Sequence, residues 1–276
     1  MKLKEYKIKE GAMKSWREIF QNPCDIILES FKTGSVNINR RGTINIKHPK
    51  AGYIKDEMIN VPIFSHLIKH NKFGYYLIDT GLDATYTYDP YGGVKGKYVD
   101  KFFQEKNENI GFHLENKGIN LKNIFLSHLH PDHIAGVREL PKEIPYIVGK
   151  GEIEQYKPEI YGDFLKDINT LYEIDFSTLN KIPPLGPSTD LFGDGSFWAI
   201  STPGHTKGHI SYLINGIYGP ILLTMDASFI GDNLLLKIAP SDYTEDIALA
   251  QKTLENICEF LLEYPQVKVL AGHELL

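Results

Sequence analysis

The segment Ser127–His133 reads SHLHPDH and sets His128, His130, Asp132 and His133 within six positions of a chain that has ten histidines in all. Imidazoles and carboxylates are nitrogen and oxygen donors. A core tolerates them only when paired, and a solvated loop has no need of so many. Read as structure alone, the segment is a polar turn with Asp132 capping a helix. Read as chemistry, it is half of a metal site. Three more donors each follow an apolar run: His205 in STPGHTKGH (201–209), Asp226 in LLTMDAS (222–228) and His273 in VLAGHE (269–274). A catalytic divalent ion takes about three protein ligands and leaves one position open, so this set exceeds one ion's share. It divides into His128, His130 and His205 for one ion and Asp132, His133 and His273 for another, with Asp226 bridging. Donors of this kind suit zinc, and also iron, manganese or cobalt. Two such ions about 3.5–4 Å apart share a water, lower its pKa toward ~7 and polarise a carbonyl or phosphoryl oxygen. The chemistry is hydrolysis.

Something must bring these loops together. Strand-like runs occur at 61–68, 74–80, 123–127, 145–149, 197–201, 210–214, 221–226 and 267–272, short apolar stretches bounded by Gly, Pro or polar residues. The donors fall at strand ends, where open α/β folds keep their sites. Residues two apart on an extended backbone point the same way, which aims His128 and His130 together. Pro131 then ends the strand, and a helix starting at Asp132 turns Asp132 and His133 toward the same space. The clearest helix is 244–263, with Ile247, Leu254, Ile257 and Leu261 on one face and acidic residues in its first turn, where the helix dipole favours them. Strand runs interleaved with helices predict sheets covered by helices on their outer faces. Residues 150–195 are long, mixed and end in Pro and Gly, so the expectation is one domain over 1–276 with an inserted cap there. The Tyr- and Gly-rich stretch 83–103 reads as a lid or entrance wall, or equally as tyrosines packing a loop onto the domain.

Composition removes other function classes. With 276 residues, 42% of them hydrophobic, the chain can bury a substantial core. Its net charge of −5 and the lack of any Lys/Arg run argue against a nucleic-acid partner. No 18-residue apolar stretch predicts a membrane span, and the start MKLKEYKIKE has no apolar segment behind it to make a signal peptide. Cys24 and Cys258 are far apart and fit two reduced thiols in a cytoplasmic protein, Cys258 packing on the apolar side of its helix. His48, His66, His70 and His113 fit no ligand spacing and are expected on the surface or in hydrogen bonds. His209, four residues after His205 and beyond the turn, is expected to support the donors rather than to join them.

HLHPDH matches the HxHxDH signature of the metallo-β-lactamase superfamily, and His205, Asp226 and His273 follow in that superfamily's order. The resemblance covers roughly residues 60–276. It implies an α/β fold, the αββα four-layer sandwich, with a dinuclear site between the edges of the two sheets. LIDTG at 77–81 looks like the superfamily's early motif, which implies that Asp79 orients ligands from behind; a capped turn after a strand is an equally good reading of Asp79 and compatible with it. Class B1 and B2 β-lactamases of the superfamily carry a cysteine where Asp226 stands, flavodiiron proteins a glutamate in the position of His130, and transfer-RNA-processing members a basic surface. The stretches 191–214 and 222–229 look most like the quorum-quenching N-acyl-homoserine lactonases. That likeness implies a small ester or lactone as substrate, opened by a hydroxide shared between the metals, with Asp132 passing a proton to the leaving alkoxide. In that branch a tyrosine three residues after the bridging aspartate helps hold the lactone carbonyl; here Phe229 stands in the substrate site and cannot donate. The alternatives are a thioesterase of the glyoxalase II kind and phosphodiesterase or arylsulfatase relatives. A non-catalytic descendant would have lost a ligand, and all seven are present.

Overall fold

Successive apolar residues in this chain feed different cores, and that alternation builds two sheets. The computed structural model describes residues 1–8, 13–95 and 100–274. Strands β1 (Lys2–Glu5), β2 (Ile26–Asn39), β3 (Met58–His70), β4 (Gly74–Ile78), β5 (Lys101–Phe103), β6 (Leu121–Phe125), β7 (Tyr146–Gly149) and β8 (Thr170–Ile174) form one sheet, in the order β1-β8-β7-β6-β4-β3-β2-β5. Strands β9 (Ser188–Asp190), β10 (Phe197–Ser201), β11 (Ile210–Gly216), β12 (Gly219–Met225) and β13 (Lys268–Ala271) form the second, in the order β13-β12-β11-β10-β9.

Period-two packing assigns each face. Ile78, Phe125 and Ile147 of the large sheet meet Phe197, Ala199, Tyr212 and Leu223 of the small one in the central core. Their strand neighbours Leu77, Ile124, Tyr146 and Val148 point outward, where Ile110 and Leu114 of the helix Ile110–Lys117 cover them. On the other outer face Trp198, Ile200, Leu213 and Leu222 pack under Ile257 and Phe260 of the helix Ile247–Glu263, and under Trp16 and Ile19 of the helix Trp16–Phe20. The layers run helix, sheet, sheet, helix: the expected αββα sandwich. Both faces of the central strands are buried, so they read as continuous apolar runs.

Several elements depart from expectation. β2 is the longest strand and pairs with β3 from Ile26↔His70 to Asn39↔Met58, yet its sequence IILESFKTGSVNIN carries Glu29 and Lys32 at exposed positions and reads weakly. The stretch 150–195 contains β8 and β9, which belong to the two sheets rather than to a cap; the helix Pro158–Tyr161 is the part that reaches the site. The helix after Ser127 is Pro131–Ile134, followed by a 3-10 segment Ala135–Glu139. His130 is its N-cap, with extended φ −75° and ψ 153°, so neither a cap nor a helix start falls on Asp132. Proline opens the helix because it has no N–H to leave unpaired there and its φ is already helical.

Candidate metal centre

The donors arrive from four strand ends and the carboxylate behind them from a fifth. Asp79 follows β4, Ser127–His133 follow β6, His205 follows β10, Asp226 follows β12 and His273 follows β13. At two of these ends the backbone enters the left-handed region at a non-glycine residue, Asp79 (φ 53°) and Met225 (φ 48°). Such residues cost of order 1–3 kcal/mol and persist where surroundings hold them. The register of β12 against β13 slips between Leu223 and Met225, which swings Asp226 out of the strand and into the space between the sheets.

All seven expected ligands meet there in two groups: His128, His130, His205 and Asp226, and Asp132, His133 and His273. In the first, His130 Nδ1 lies 3.0 Å from His128 Nε2 and 2.9 Å from His205 Nε2. Asp226 Oδ2 is 3.7 Å from His128 Nε2 and 3.4 Å from His205 Nε2. In the second, Asp132 Oδ2 is 3.6 Å from the Nε2 of both His133 and His273. Asp226 Oδ1 faces the same two nitrogens at 3.4 and 3.5 Å. Asp226 thus offers one oxygen to each group.

The far nitrogens of these rings decide which atoms face inward. Asp79 accepts from Ser127 N and Ser127 Oγ, both at 2.7 Å, and from His133 Nδ1 at 2.6 Å. With its proton committed to Asp79, Ser127 Oγ is left to accept from His128 Nδ1 at 3.0 Å. His273 Nδ1 donates to the Pro62 carbonyl at 3.0 Å. Each of these Nε2 atoms therefore faces the centre. His133 Nε2 and Asp226 Oδ1 are buried without any hydrogen-bond partner. The arrangement asks for cations, and an all-imidazole and carboxylate set fits divalent metal ions. His209 stands apart. Its Nδ1 donates to Thr202 Oγ1 at 2.8 Å and its Nε2 accepts from Asp226 N at 3.1 Å, so it holds Asp226 in place with neither nitrogen free.

Protonation follows the same division. Burial holds His128 and His205 well below the ordinary imidazole value, and pushes His130 to about 4 and His209 to about 3. These rings are neutral at neutral pH, as ligation requires. Burial also pulls on His133 and His273, but Asp226 and Asp132 outweigh it and hold both above the ordinary value, with Asp79 adding to His133. Burial would raise Asp226, yet His133 and His273 bring it well below the carboxylate range. Protons occupy the second group when cations do not, so metal binding there must release them.

Residues 59–273 match the metallo-beta-lactamase superfamily. The chain belongs to that superfamily. The chain is similar to the N-acyl homoserine lactonase AttM of Azorhizobium caulinodans, 28% identical over 261 residues that span 91% of this chain and 94% of that one. Among solved structures it resembles an N-acyl homoserine lactone hydrolase with the product N-hexanoyl-L-homoserine bound at the catalytic metal center (TM-score 0.70, 22% identity, 92% of this chain and 94% of that one). It also resembles AidC, a dizinc quorum-quenching lactonase in complex with the same product (TM-score 0.58, 17% identity, 91% and 88% covered).

A cavity of about 420 Å³ opens onto these donors. His130, Asp132, His205, Asp226 and His273 line its floor, and Val36, Ile38, Val94, Phe102, Ile160 and Phe229 its apolar walls. The Phe229 ring sits 5.3 Å from that of His205 and 5.6 Å from that of His273. Asn39, Asp100, Tyr161, Asp242 and Tyr243 are the polar wall residues, the Tyr243 hydroxyl donating to Asp100 at 2.7 Å. Among the described residues no Lys or Arg lines the cavity. Of the stretch 83–103, Val94, Asp100 and Phe102 form wall, Tyr86 is core and Tyr88 is exposed; residues 96–99 lie outside the described residues. Spacing gave no signal for the wall residues from β2, from Pro158–Tyr161 or from the Asp242–Tyr243 loop, because no pattern links them except closure of the fold. The remaining histidines are bonded elsewhere: His66 to Ser30 Oγ, His70 to Asp194, His113 to the Lys32 carbonyl and His48 to Lys50 N.

Proposed function

We propose that this protein is a dinuclear metal-dependent hydrolase that opens lactone rings, of the N-acyl-homoserine lactone type. The observation that carries the reading is an apolar-walled cavity of about 420 Å³ whose floor holds both donor groups. His128, His130, His205 and Asp226 would hold one ion, and Asp132, His133, His273 and the other oxygen of Asp226 the second; zinc suits this set best. When bound, the ions acidify water and polarise the substrate carbonyl.

The chain's own residues do the rest. Val36, Ile38, Phe102 and Ile160 take up an acyl chain and exclude water from it. Phe229 packs against the lactone from the His205–His273 side and supplies no hydrogen bond. Asp132 reaches the cavity with Oδ2 between His133 and His273, where it can carry a proton to the departing alkoxide. His209 and Asp79 keep Asp226, His128 and His133 aimed. The rival substrates are disfavoured by charge. A phosphodiester, a sulfate or a glutathione thioester brings negative charge to walls that hold Asp100 and Asp242 and, among the described residues, no cation. The setting is read as cytoplasmic, from two cysteines that are both free thiols.

The test is acid release from a long-chain acyl-homoserine lactone by metal-loaded protein, with Asp226→Asn as control. Rapid, Asp226-dependent ring opening is expected. No release above the control would reject the lactone and turn the search to thioesters and phosphodiesters.

A further inference from the structure

Behind the donors, on the side away from the cavity, lies a carboxylate that no step above uses. Glu152 opens the short helix Glu152–Gln155 after β7 and is 2% exposed. Its Oε1 accepts from Thr206 Oγ1 at 2.5 Å and from Gly208 N at 2.8 Å. Its Oε2 accepts from Leu129 N at 3.2 Å. Leu129 stands between His128 and His130, and Thr206 directly follows His205. One side chain therefore grips, from opposite sheets, the two loops that supply the three histidines of the first donor group. Backbones must come close for this. A Cβ on Gly149 would lie 1.8 Å from the Gly208 carbonyl oxygen, so glycine is required where the end of β7 meets the His205 loop.

Filling the space alone would not call for an acid. Burying an ionisable carboxyl is costly, and burial pushes this one up to about 7 against its three donors. Leucine would fill the volume but orphan three buried donors. The second donor group is held by other means, His133 on Asp79 and His273 on the Pro62 carbonyl.

We propose that Glu152 is a positioning residue of the metal centre, one that sets the separation between the His128–His130 loop and His205 and thereby the affinity and geometry of the first donor group alone. The inference rests on the two-metal reading above. Glutamine at 152 keeps one acceptor oxygen for one loop and turns an NH2 toward the other, so it breaks the link without emptying the space.

Chelator-stripped protein is titrated with Co²⁺, following stoichiometry by calorimetry and ligand geometry by visible absorption, for the unmutated chain, Glu152→Gln and Thr206→Val. The unmutated chain should bind two equivalents. Glu152→Gln should weaken one of them about ten- to a hundredfold, the range seen when groups that orient ligands are removed, and shift its spectrum. The other equivalent should hardly move, while the metal-free melting temperature falls with the buried hydrogen bond lost. Thr206→Val, which takes away one donor and leaves the carboxylate, should show a smaller loss at the same equivalent, and serves if the glutamine variant does not fold. Equal weakening of both equivalents would overturn the proposal in favour of general fold support, and so would unchanged binding. Fewer than two equivalents in the unmutated chain would overturn the two-metal reading and this inference with it.

Discussion

Replacing Asp226 by asparagine tests the centre where its two halves join. The two side chains have nearly the same size, so the fold is spared while one oxygen becomes NH2 and the charge disappears. Each half now has a carboxylate oxygen 3.4–3.7 Å from two imidazole nitrogens. In the variant one half would face an amide oxygen and the other two N–H groups, which cannot ligate. Removing one member of a buried charge pair costs about 3–5 kcal/mol, which at 1.4 kcal/mol per decade is about a hundred- to several-thousandfold in metal affinity. At metal a hundred times its dissociation constant, binding adds about 2.7 kcal/mol of stability, or about 5 °C of melting temperature for a chain of this size. Asp226→Asn should abolish that increment. The metal-free melting temperature is a poorer readout, since the variant loses the attraction of His133 and His273 but also a buried charge. The assay is zinc titration of chelator-stripped protein with bound metal counted by elemental analysis, alongside lactone opening, which should fall by orders of magnitude. Two equivalents bound at unmutated affinity, with the thermal increment intact, would refute the bridging role.

Phe229→Tyr places a hydroxyl on the cavity wall beside His205 and His273. A hydrogen bond to the substrate oxygen worth about 1.4 kcal/mol would raise lactone turnover about tenfold, and a rate that is unchanged or lower means that the carbonyl does not sit there. His66 is fully buried against Ser30 Oγ, and burial pushes it to about 3. The unfolded chain takes up this proton near pH 6.5 and the folded chain only near 3, so the stability is complete above pH 6.5 and is lost as pH falls between them, by up to about 1.4 kcal/mol per pH unit. His133 and His273, which are raised, act in the opposite sense. The measurement is accordingly the difference between the metal-free protein and His66→Gln, and parallel melting-temperature profiles from pH 6.5 to 4.5 would contradict it.

The metal donors were legible because they are local. Each follows an apolar run, and a run buried on both faces has little else to do than end at a sheet edge, as β4, β6, β10, β12 and β13 do. The two-group division also followed from counting donors against what one ion can take. The helix start at Pro131 was not legible in the same way: a proline after a strand reads as a stop, and its fitness for the first helical position shows only once the chain turns. β2 escaped because its polar positions hide a strand that exists through its long pairing with β3.

By itself, the order of residues determined which atoms could bind metal and that buried strands would present them at their ends, since ligand chemistry and apolar runs are properties of short segments. Tertiary structure alone decided what stands around the donors. Asp100, Tyr161 and Tyr243 reach one cavity, and Glu152 reaches two loops at once, because the chain closes on itself through packing between distant segments. Such closure depends on the whole core, and no spacing within a segment encodes it.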